Sequence, residues 1–149
     1  MTYILAEQTA RCAPDTAPAK LQSYFAGFER SGNAIRYEIK TPIDEVKIPF
    51  AADAREVRLH IGQPKQRDLD VLLPLTWEPN DNRLLPAFEG QIEITPLSSD
   101  EVQLSVIGEY DPPLGIIGEA FDAAIGRRIA DATIALFARE LKTAVERAA

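Results

Sequence analysis

The chain has few of the residues from which metal sites and disulfides are built. Among its 149 residues, Cys12 is the only cysteine and His60 is the only histidine. A single cysteine cannot form an intrachain disulfide, and a zinc site needs several Cys or His ligands. We therefore expect no metal and no cofactor, in a protein that is compatible with a reducing compartment.

Long apolar runs and basic clusters are also scarce. Near the N-terminus the apolar run Tyr3–Ala6 is too short for a signal sequence or a membrane span, so we expect a cytoplasmic protein without a spanning segment. The formal net charge is −7, from 23 acidic and 16 basic residues, and Arg127-Arg128 is the only basic pair. Because nonspecific nucleic-acid binding needs clustered Lys and Arg, nucleic acid is not an expected partner.

No catalytic or nucleotide-binding motif is present. The glycines at positions 108, 115, 118 and 126 match neither of the two nucleotide-binding fingerprints. His60 is the natural candidate for acid-base chemistry near neutral pH. However, it shares its strand parity with Arg58 and alternates with Leu59 and Ile61, which predicts that it faces solvent.

Alternation of apolar and polar residues is the most abundant pattern, and it predicts strands that bury one face. The apolar positions are Ile35, Tyr37 and Ile39; Val46, Ile48 and Phe50; Val57, Leu59 and Ile61; Leu69, Val71, Leu73, Leu75 and Trp77; Ile92 and Ile94; Val102, Leu104, Val106 and Tyr110. Thr2–Arg11 is predicted to form a first strand. Because no helical crossover separates these runs, the strands should pair mostly antiparallel in one sheet.

Two segments have helical periodicity and could cover the apolar face of that sheet. Leu21, Tyr24, Phe25 and Phe28 fall at helical spacing, which predicts a short helix from Ala19 to Arg30. The second helix is predicted from about Gly118 to Arg147. Its apolar stripe consists of Phe121, Ile125, Ile129, Leu136, Phe137, Leu141 and Val145, with Lys142 and Glu146 paired on the outside.

Three segments together resemble the START-like superfamily, also called SRPBCC or helix-grip, which includes polyketide cyclases and the Bet v 1 allergens. They are Leu75–Pro79, Leu85–Gly90, and Gly108–Gly115 before the terminal helix. The resemblance implies an α+β fold with a curved antiparallel sheet of about six or seven strands wrapped around one long C-terminal helix. A short helix would lie near the N-terminus, and residues 1–149 would form a single domain.

The resemblance also implies an internal cavity between the sheet and the C-terminal helix, which binds a small hydrophobic or amphipathic ligand. The candidate cavity-lining residues are Tyr37, Trp77, Phe88, Tyr110, Phe121 and Ile125. We expect Tyr110 and Arg36 to set the ligand chemistry, because a buried phenol needs a hydrogen-bond partner. Two alternatives stay open: a cyclase- or aromatase-like enzyme, and an interaction module with a filled interior that works through its surface or as a homodimer.

Overall fold

The computed structural model describes residues 2–40, 54–79, 88–110 and 123–147. This part of the chain contains eight strands and two helices. The strands are β1 (Thr2–Arg11), β2 (Arg30–Ser31), β3 (Ala34–Lys40), β4 (Ala54–Ile61), β5 (Lys65–Arg67), β6 (Asp70–Pro79), β7 (Phe88–Ser98) and β8 (Glu101–Tyr110). The helices are α1 (Ala17–Ala26) and α2 (Ala123–Glu146).

All the strands belong to one antiparallel sheet. Its order is β1-β8-β7-β6-β4-β3-β2, and the short strand β5 pairs with β6. Alternate residues of each long strand are buried, as the period-two pattern predicts. We call the face that carries these buried residues the inner face, and the opposite face the outer face.

Helix α2 packs on the inner face, with most of its contacts to β1 and further contacts to β8, β3 and α1. The buried residues of α2 are mainly small or aliphatic, with one aromatic residue and one hydroxyl residue among them. They are Ile129, Ala130, Thr133, Ile134, Phe137, Ala138, Leu141, Ala144 and Val145. This spacing forms a stripe along one side of the helix. The sheet and the helix therefore share one core.

Two paired glycines bring β7 and β8 unusually close together. Gly90 is the register partner of Gly108. A Cβ atom on Gly90 would lie 2.6 Å from the Cα of Gly108, and one on Gly108 would lie 2.7 Å from the Cα of Gly90. Carbon atoms do not approach so closely, so this crossing of the two strands requires glycine at both positions.

Side chains of α2 cover part of the free edge of β1. Lys142 Nζ donates a hydrogen bond to the carbonyl oxygen of Thr9 at 2.8 Å, and the backbone N–H of Arg11 donates to Glu146 Oε2 at 2.9 Å. Lys142 and Glu146 also form the predicted i, i+4 ion pair, at 3.6 Å. These contacts satisfy edge groups that a neighbouring strand would otherwise pair.

The predicted helix-grip architecture is confirmed, with differences in detail. The sequence did not predict β2 and β5, which are too short to show a period-two pattern. Leu69 was wrongly placed in a strand: it lies in the turn between β5 and β6 and is 78% exposed. The strand predicted at Val46–Phe50 lies outside the described residues.

The predicted helices are present with altered bounds. Helix α1 begins two residues earlier than predicted, with Pro18 in its first turn, and ends at Ala26. The start predicted for the second helix at Gly118 lies outside the described residues, and the described helix begins at Ala123. Neither described helix is long and apolar enough to cross a membrane.

Candidate functional site

A row of aromatic side chains crosses the inner face of the sheet. Trp77 of β6 is the register partner of Phe88 of β7, which in turn is opposite Tyr110 of β8. All three side chains are at most 2% exposed. The rings of Trp77 and Phe88 are stacked, with centroids 4.4 Å apart and an interplanar angle of 16°. The cross-strand register therefore determines which aromatic rings meet.

Helix α2 presents Thr133, Phe137 and Glu140 to the sheet side. These residues are four and three positions apart, so they lie on the same side of the helix. Phe137 makes edge contacts with Trp77, at a centroid distance of 5.4 Å, and with Tyr37, at 5.6 Å. Phe137 thus separates two polar regions of the interface, one at each neighbouring helical turn.

The first polar region is a hydrogen-bonded network that converges on Glu140. The hydroxyl of Tyr37 donates to Glu140 Oε1 at 3.0 Å, and Lys40 Nζ lies 3.1 Å from Glu140 Oε2. The hydroxyls of Tyr24 and Tyr37 are 2.7 Å apart. Because the one hydroxyl proton of Tyr37 goes to Glu140, Tyr24 must donate to Tyr37. Both oxygens of the carboxylate therefore have a partner.

Burial and hydrogen bonding explain the protonation of this network. Desolvation is the main reason that the pKa of Tyr37 is raised well above its ordinary value, followed by its hydrogen bond with Tyr24 and the negative charge of Glu140. Desolvation likewise raises the pKa of Tyr24. The hydrogen bond to Glu140 raises the pKa of Lys40. At neutral pH both phenols are therefore proton donors and Lys40 is charged.

The second polar region is a pair formed by Tyr110 and Thr133. Both residues are 1% exposed, and the phenol of Tyr110 is hydrogen-bonded to the Thr133 side chain. Burial raises the pKa of Tyr110 above its ordinary value, which keeps the phenol protonated. The hydrogen-bond partner that the buried phenol of Tyr110 needs is thus supplied by α2.

The indole of Trp77 is the exception in this interface. The residue is 2% exposed, and its Nε1 is fully buried without a hydrogen-bond partner within the described ranges. Burying such a donor unpaired costs about 1–3 kcal/mol, so unpaired donors are rare in folded proteins. Trp77 therefore has an unused donor next to Phe88 and Phe137.

The structure brings four of the six candidate residues to the inner face, namely Tyr37, Trp77, Phe88 and Tyr110. Phe121 lies outside the described residues, and the side chain of Ile125 is not described. Arg36 lies on the outer face, where it forms ion pairs with Glu29 and Glu56. It therefore cannot act beside Tyr110, because neighbouring residues of a strand point to opposite faces.

Sequence reasoning missed Tyr24, Lys40, Thr133 and Glu140 as site residues. Tyr24 belongs to the apolar stripe that the sequence predicts for α1, and Lys40 ends β3 at a position whose parity, opposite to that of Tyr37 and Ile39, predicts exposure to solvent. Thr133 and Glu140 carry a signal in retrospect, because they lie on the same helix side as Phe137. His60 was correctly assigned to the outer face, where its Nε2 lies 3.9 Å from Glu78.

Two surface clefts lie away from the aromatic row. One, of about 620 Å³, lies between the start of α1 and the β5–β6 turn, and Pro14, Pro18, Pro64 and Leu69 contribute to its walls. The other, of about 500 Å³, lies on the outer face around Gly90 and Gly108. None of the four candidate residues with described side chains, namely Tyr37, Trp77, Phe88 and Tyr110, lines either cleft.

Comparison with known proteins identifies relatives by fold. No family model matches the sequence, and no curated protein matches it significantly. The chain is similar to a conserved protein from Geobacillus kaustophilus, with a TM-score of 0.53 and 12% identity over 95% of this chain and 96% of that one. At this identity the similarity is one of fold.

Norcoclaurine synthase from Thalictrum flavum, a member of the Bet v 1-like fold, is also among the similar structures. Its structure in complex with dopamine and hydroxybenzaldehyde has a TM-score of 0.44 and 13% identity over 93% of this chain and 87% of that one. The helix-grip fold that the predicted resemblance to START-like proteins implies is confirmed by the structure itself, which has one antiparallel sheet and a long C-terminal helix.

Proposed function

We propose that this helix-grip protein binds a small hydrophobic or amphipathic molecule between the inner face of its sheet and α2. The observation that carries the proposal is the buried indole N–H of Trp77, which has no acceptor among the described residues. A bound molecule would supply the missing acceptor, and the aromatic row would contact its apolar part. Ligand sites typically combine such an apolar lining with a few polar groups.

The surroundings of Trp77 support the proposal. Phe88 stacks on one face of the indole and Phe137 contacts it edge-on, so the ring is held in place before any ligand arrives. A fixed donor loses little conformational entropy on binding, which favours affinity. The remaining described polar groups of the interface, in the Glu140 network and the Tyr110–Thr133 pair, already have partners.

Native mass spectrometry of freshly purified protein, combined with thermal-shift measurements against a panel of lipids and aromatic compounds, tests the proposal. A ligand at a hundredfold its dissociation constant stabilises the folded state by about 2.7 kcal/mol, which corresponds to a shift of roughly 5 °C or more for a chain of this size. Trp77→Phe should reduce this shift. Tyr3→Phe, which removes one polar atom from an aromatic ring on the outer face, should not.

The absence of any bound species, together with no thermal shift across the panel, would contradict the proposal. A shift that Trp77→Phe leaves unchanged would place binding elsewhere, such as in the cleft beside Pro64 and Leu69.

A cyclase- or aromatase-type enzyme is the second candidate, and Glu140 is the observation that favours it. A partly buried carboxylate beside Tyr37 is the kind of group that general acid-base catalysis uses. The raised pKa values of Tyr37 and Tyr110 keep both phenols protonated, so they would donate hydrogen bonds to a substrate rather than transfer protons to it. Conversion of a poly-β-ketone thioester to a cyclised product, lost in Glu140→Gln, would support this candidate. Binding of the thioester without its conversion would contradict the enzyme and leave the first candidate, ligand binding, standing.

A further inference from the structure

We infer that the ligand of the Trp77 site is an uncharged molecule that presents a carbonyl oxygen to the indole N–H. This inference rests on the binding function proposed above and specifies the chemical class of its ligand. It follows from three properties of the described interface: the type of polar atom that is unpaired, the pairing of its neighbours, and the absence of an available positive charge.

The unpaired atom requires an acceptor and excludes a donor. An indole nitrogen carries one hydrogen and no lone pair in the ring plane, so it can donate a hydrogen bond but cannot accept one. An alcohol, ketone, ester or carboxylate could therefore occupy the position, whereas an ammonium group or a pure hydrocarbon would leave Trp77 unpaired.

The neighbouring polar groups of the Glu140 network are bonded to one another and not to the indole. Tyr37 donates to Glu140, and both carboxylate oxygens of Glu140 are engaged, by Tyr37 and Lys40. Phe137 lies between the indole and Tyr37, contacting both rings edge-on. The acceptor for Trp77 therefore has to come from outside this network.

The positions of the positively charged side chains indicate whether the ligand's acceptor group is charged or uncharged. Within the described ranges, the cation nearest to this network is Lys40, which is half exposed and already paired with Glu140. Arg36 and Arg58 lie on the outer face, paired with acidic residues. A carboxylate or phosphate at Trp77 would thus be buried without a counter-charge from the described residues, which disfavours it. An uncharged acceptor needs no counter-charge.

A carbonyl fits the site better than a hydroxyl. Its oxygen offers two lone pairs and brings no donor of its own, whereas a hydroxyl would need a further acceptor that the described aromatic surroundings do not offer. Conjugated carbonyl compounds are also planar, which suits a site whose described neighbours are the rings of Phe88 and Phe137.

Three probes of nearly identical shape test the inference: acetonaphthone, isopropenylnaphthalene and naphthoate. The first two differ only in that C=O replaces C=CH2, and the third carries a carboxylate. Titration calorimetry should show that acetonaphthone binds roughly tenfold more tightly than the alkene, the change expected for one buried hydrogen bond. Naphthoate should bind most weakly.

The single tryptophan provides a direct spectroscopic readout. Because Trp77 is the only tryptophan in the chain, one indole resonance appears in the proton–nitrogen NMR spectrum. Acetonaphthone should move its proton downfield, and the alkene should not. Replacing Trp77 by benzothienylalanine, which keeps the bicyclic shape but has sulfur in place of N–H, should abolish the preference for the ketone. Trp77→Phe serves as a second variant should the first be unstable.

The outcomes separate the two claims. Equal affinities for ketone and alkene, with an unmoved indole resonance, would overturn the carbonyl inference and leave the binding function standing. Tightest binding by naphthoate would likewise overturn it. Failure of all three probes, with no bound species in the native mass spectrum, would contradict the binding function itself and the inference with it.

Discussion

The hydroxyl of Tyr37 donates a hydrogen bond to Glu140 Oε1 at 3.0 Å, which joins β3 to α2 across 103 positions of the sequence. Tyr24 extends this contact to α1, and Lys40 adds an ion pair to the other carboxylate oxygen. A single carboxylate thus coordinates the positions of two helices and one strand. Its contribution to stability should be larger than that of an isolated surface ion pair.

A double-mutant cycle on Tyr37→Phe and Glu140→Gln should reveal this coupling. Each change removes the same charged hydrogen bond, so we expect the pair to be non-additive by about 1–2 kcal/mol in the free energy of unfolding measured with urea. The matched control combines Tyr37→Phe with Lys142→Ala, whose partner is Thr9 on β1. That pair should be additive within roughly 0.5 kcal/mol. Additivity in the first cycle would show that the contact is not a coupled network.

Stability should fall steeply at alkaline pH because Tyr37 and Tyr110 have raised pKa values in the folded state. Below about pH 10 these phenols are protonated whether the chain is folded or unfolded, and their full contribution is present. Above that pH the unfolded chain loses protons that the folded chain keeps. The free energy of unfolding therefore decreases by up to about 1.4 kcal/mol per pH unit for each phenol.

Absorbance of tyrosinate and circular dichroism, recorded during the same alkaline titration, check this prediction. Ionisation of the buried phenols should coincide with loss of the folded signal. Tyr37→Phe should make the fall in stability less steep, although it also removes a hydrogen bond at neutral pH. Complete ionisation of all tyrosines in a chain whose dichroism is unchanged would show that the phenols are accessible in the folded state.

The paired glycines should tolerate no side chain. Gly108→Ala would place a Cβ 2.7 Å from the Cα of Gly90 and 2.8 Å from the ring of Phe88, so we expect destabilisation of about 3 kcal/mol or more. Gly27→Ala is the matched control, because its Cβ would lie 3.4 Å from the carbonyl oxygen of Tyr24 and 3.9 Å from that of Ser23, and its φ is −76°. Thermal unfolding of the two variants should therefore differ clearly. Equal losses would mean that the strands can separate at little cost.

Removing the contacts that cover the edge of β1 should promote self-association. Lys142→Ala with Glu146→Ala exposes the carbonyl of Thr9 and the N–H of Arg11, on the same strand as Tyr3 and Leu5, which are 60% and 50% exposed. Exposed strand edges pair readily with other strands. We expect concentration-dependent dimers in sedimentation experiments on this variant.

Sedimentation of the unsubstituted protein shows whether the part of the β1 edge that α2 leaves uncovered is sufficient for a homodimer. Arg127→Ala with Asp131→Ala, which removes an exposed ion pair elsewhere on α2, is the control for altered charge. If the edge variant stays monomeric at high concentration, then Lys142 and Glu146 do not govern pairing through β1.

The face assignments followed from the sequence because burial imposes a period of two on strands. Ile35, Tyr37 and Ile39 are buried as predicted, and so are Val57, Leu59, Leu73, Leu75 and Trp77. The alternation of residues along one strand does not reveal which of these buried side chains meet residues of a neighbouring strand. The stacking of Trp77 on Phe88 depends on register, which is set by turns and pairing that a linear pattern does not contain.

Polar partners were harder to predict than apolar ones. Thr133 is the hydrogen-bond partner of Tyr110, and Glu140 is that of Tyr37. Both pairings depend on where α2 crosses the sheet, which the local spacing of residues in the sequence does not specify. Lys40 was unpredictable for another reason: its long, flexible side chain reaches Glu140 from a position that its backbone parity assigns to solvent.

The pairing of β1 with β8 has a consequence for the rate of folding, because it joins distant parts of the sequence. The register partners of the two strands are between 90 positions apart, for Arg11 and Glu101, and 108 positions apart, for Thr2 and Tyr110. Helix α2, which packs on β1, is further still from β1 along the sequence. Contacts between such distant segments require the closure of long loops, so we expect this sheet to fold slowly for its size.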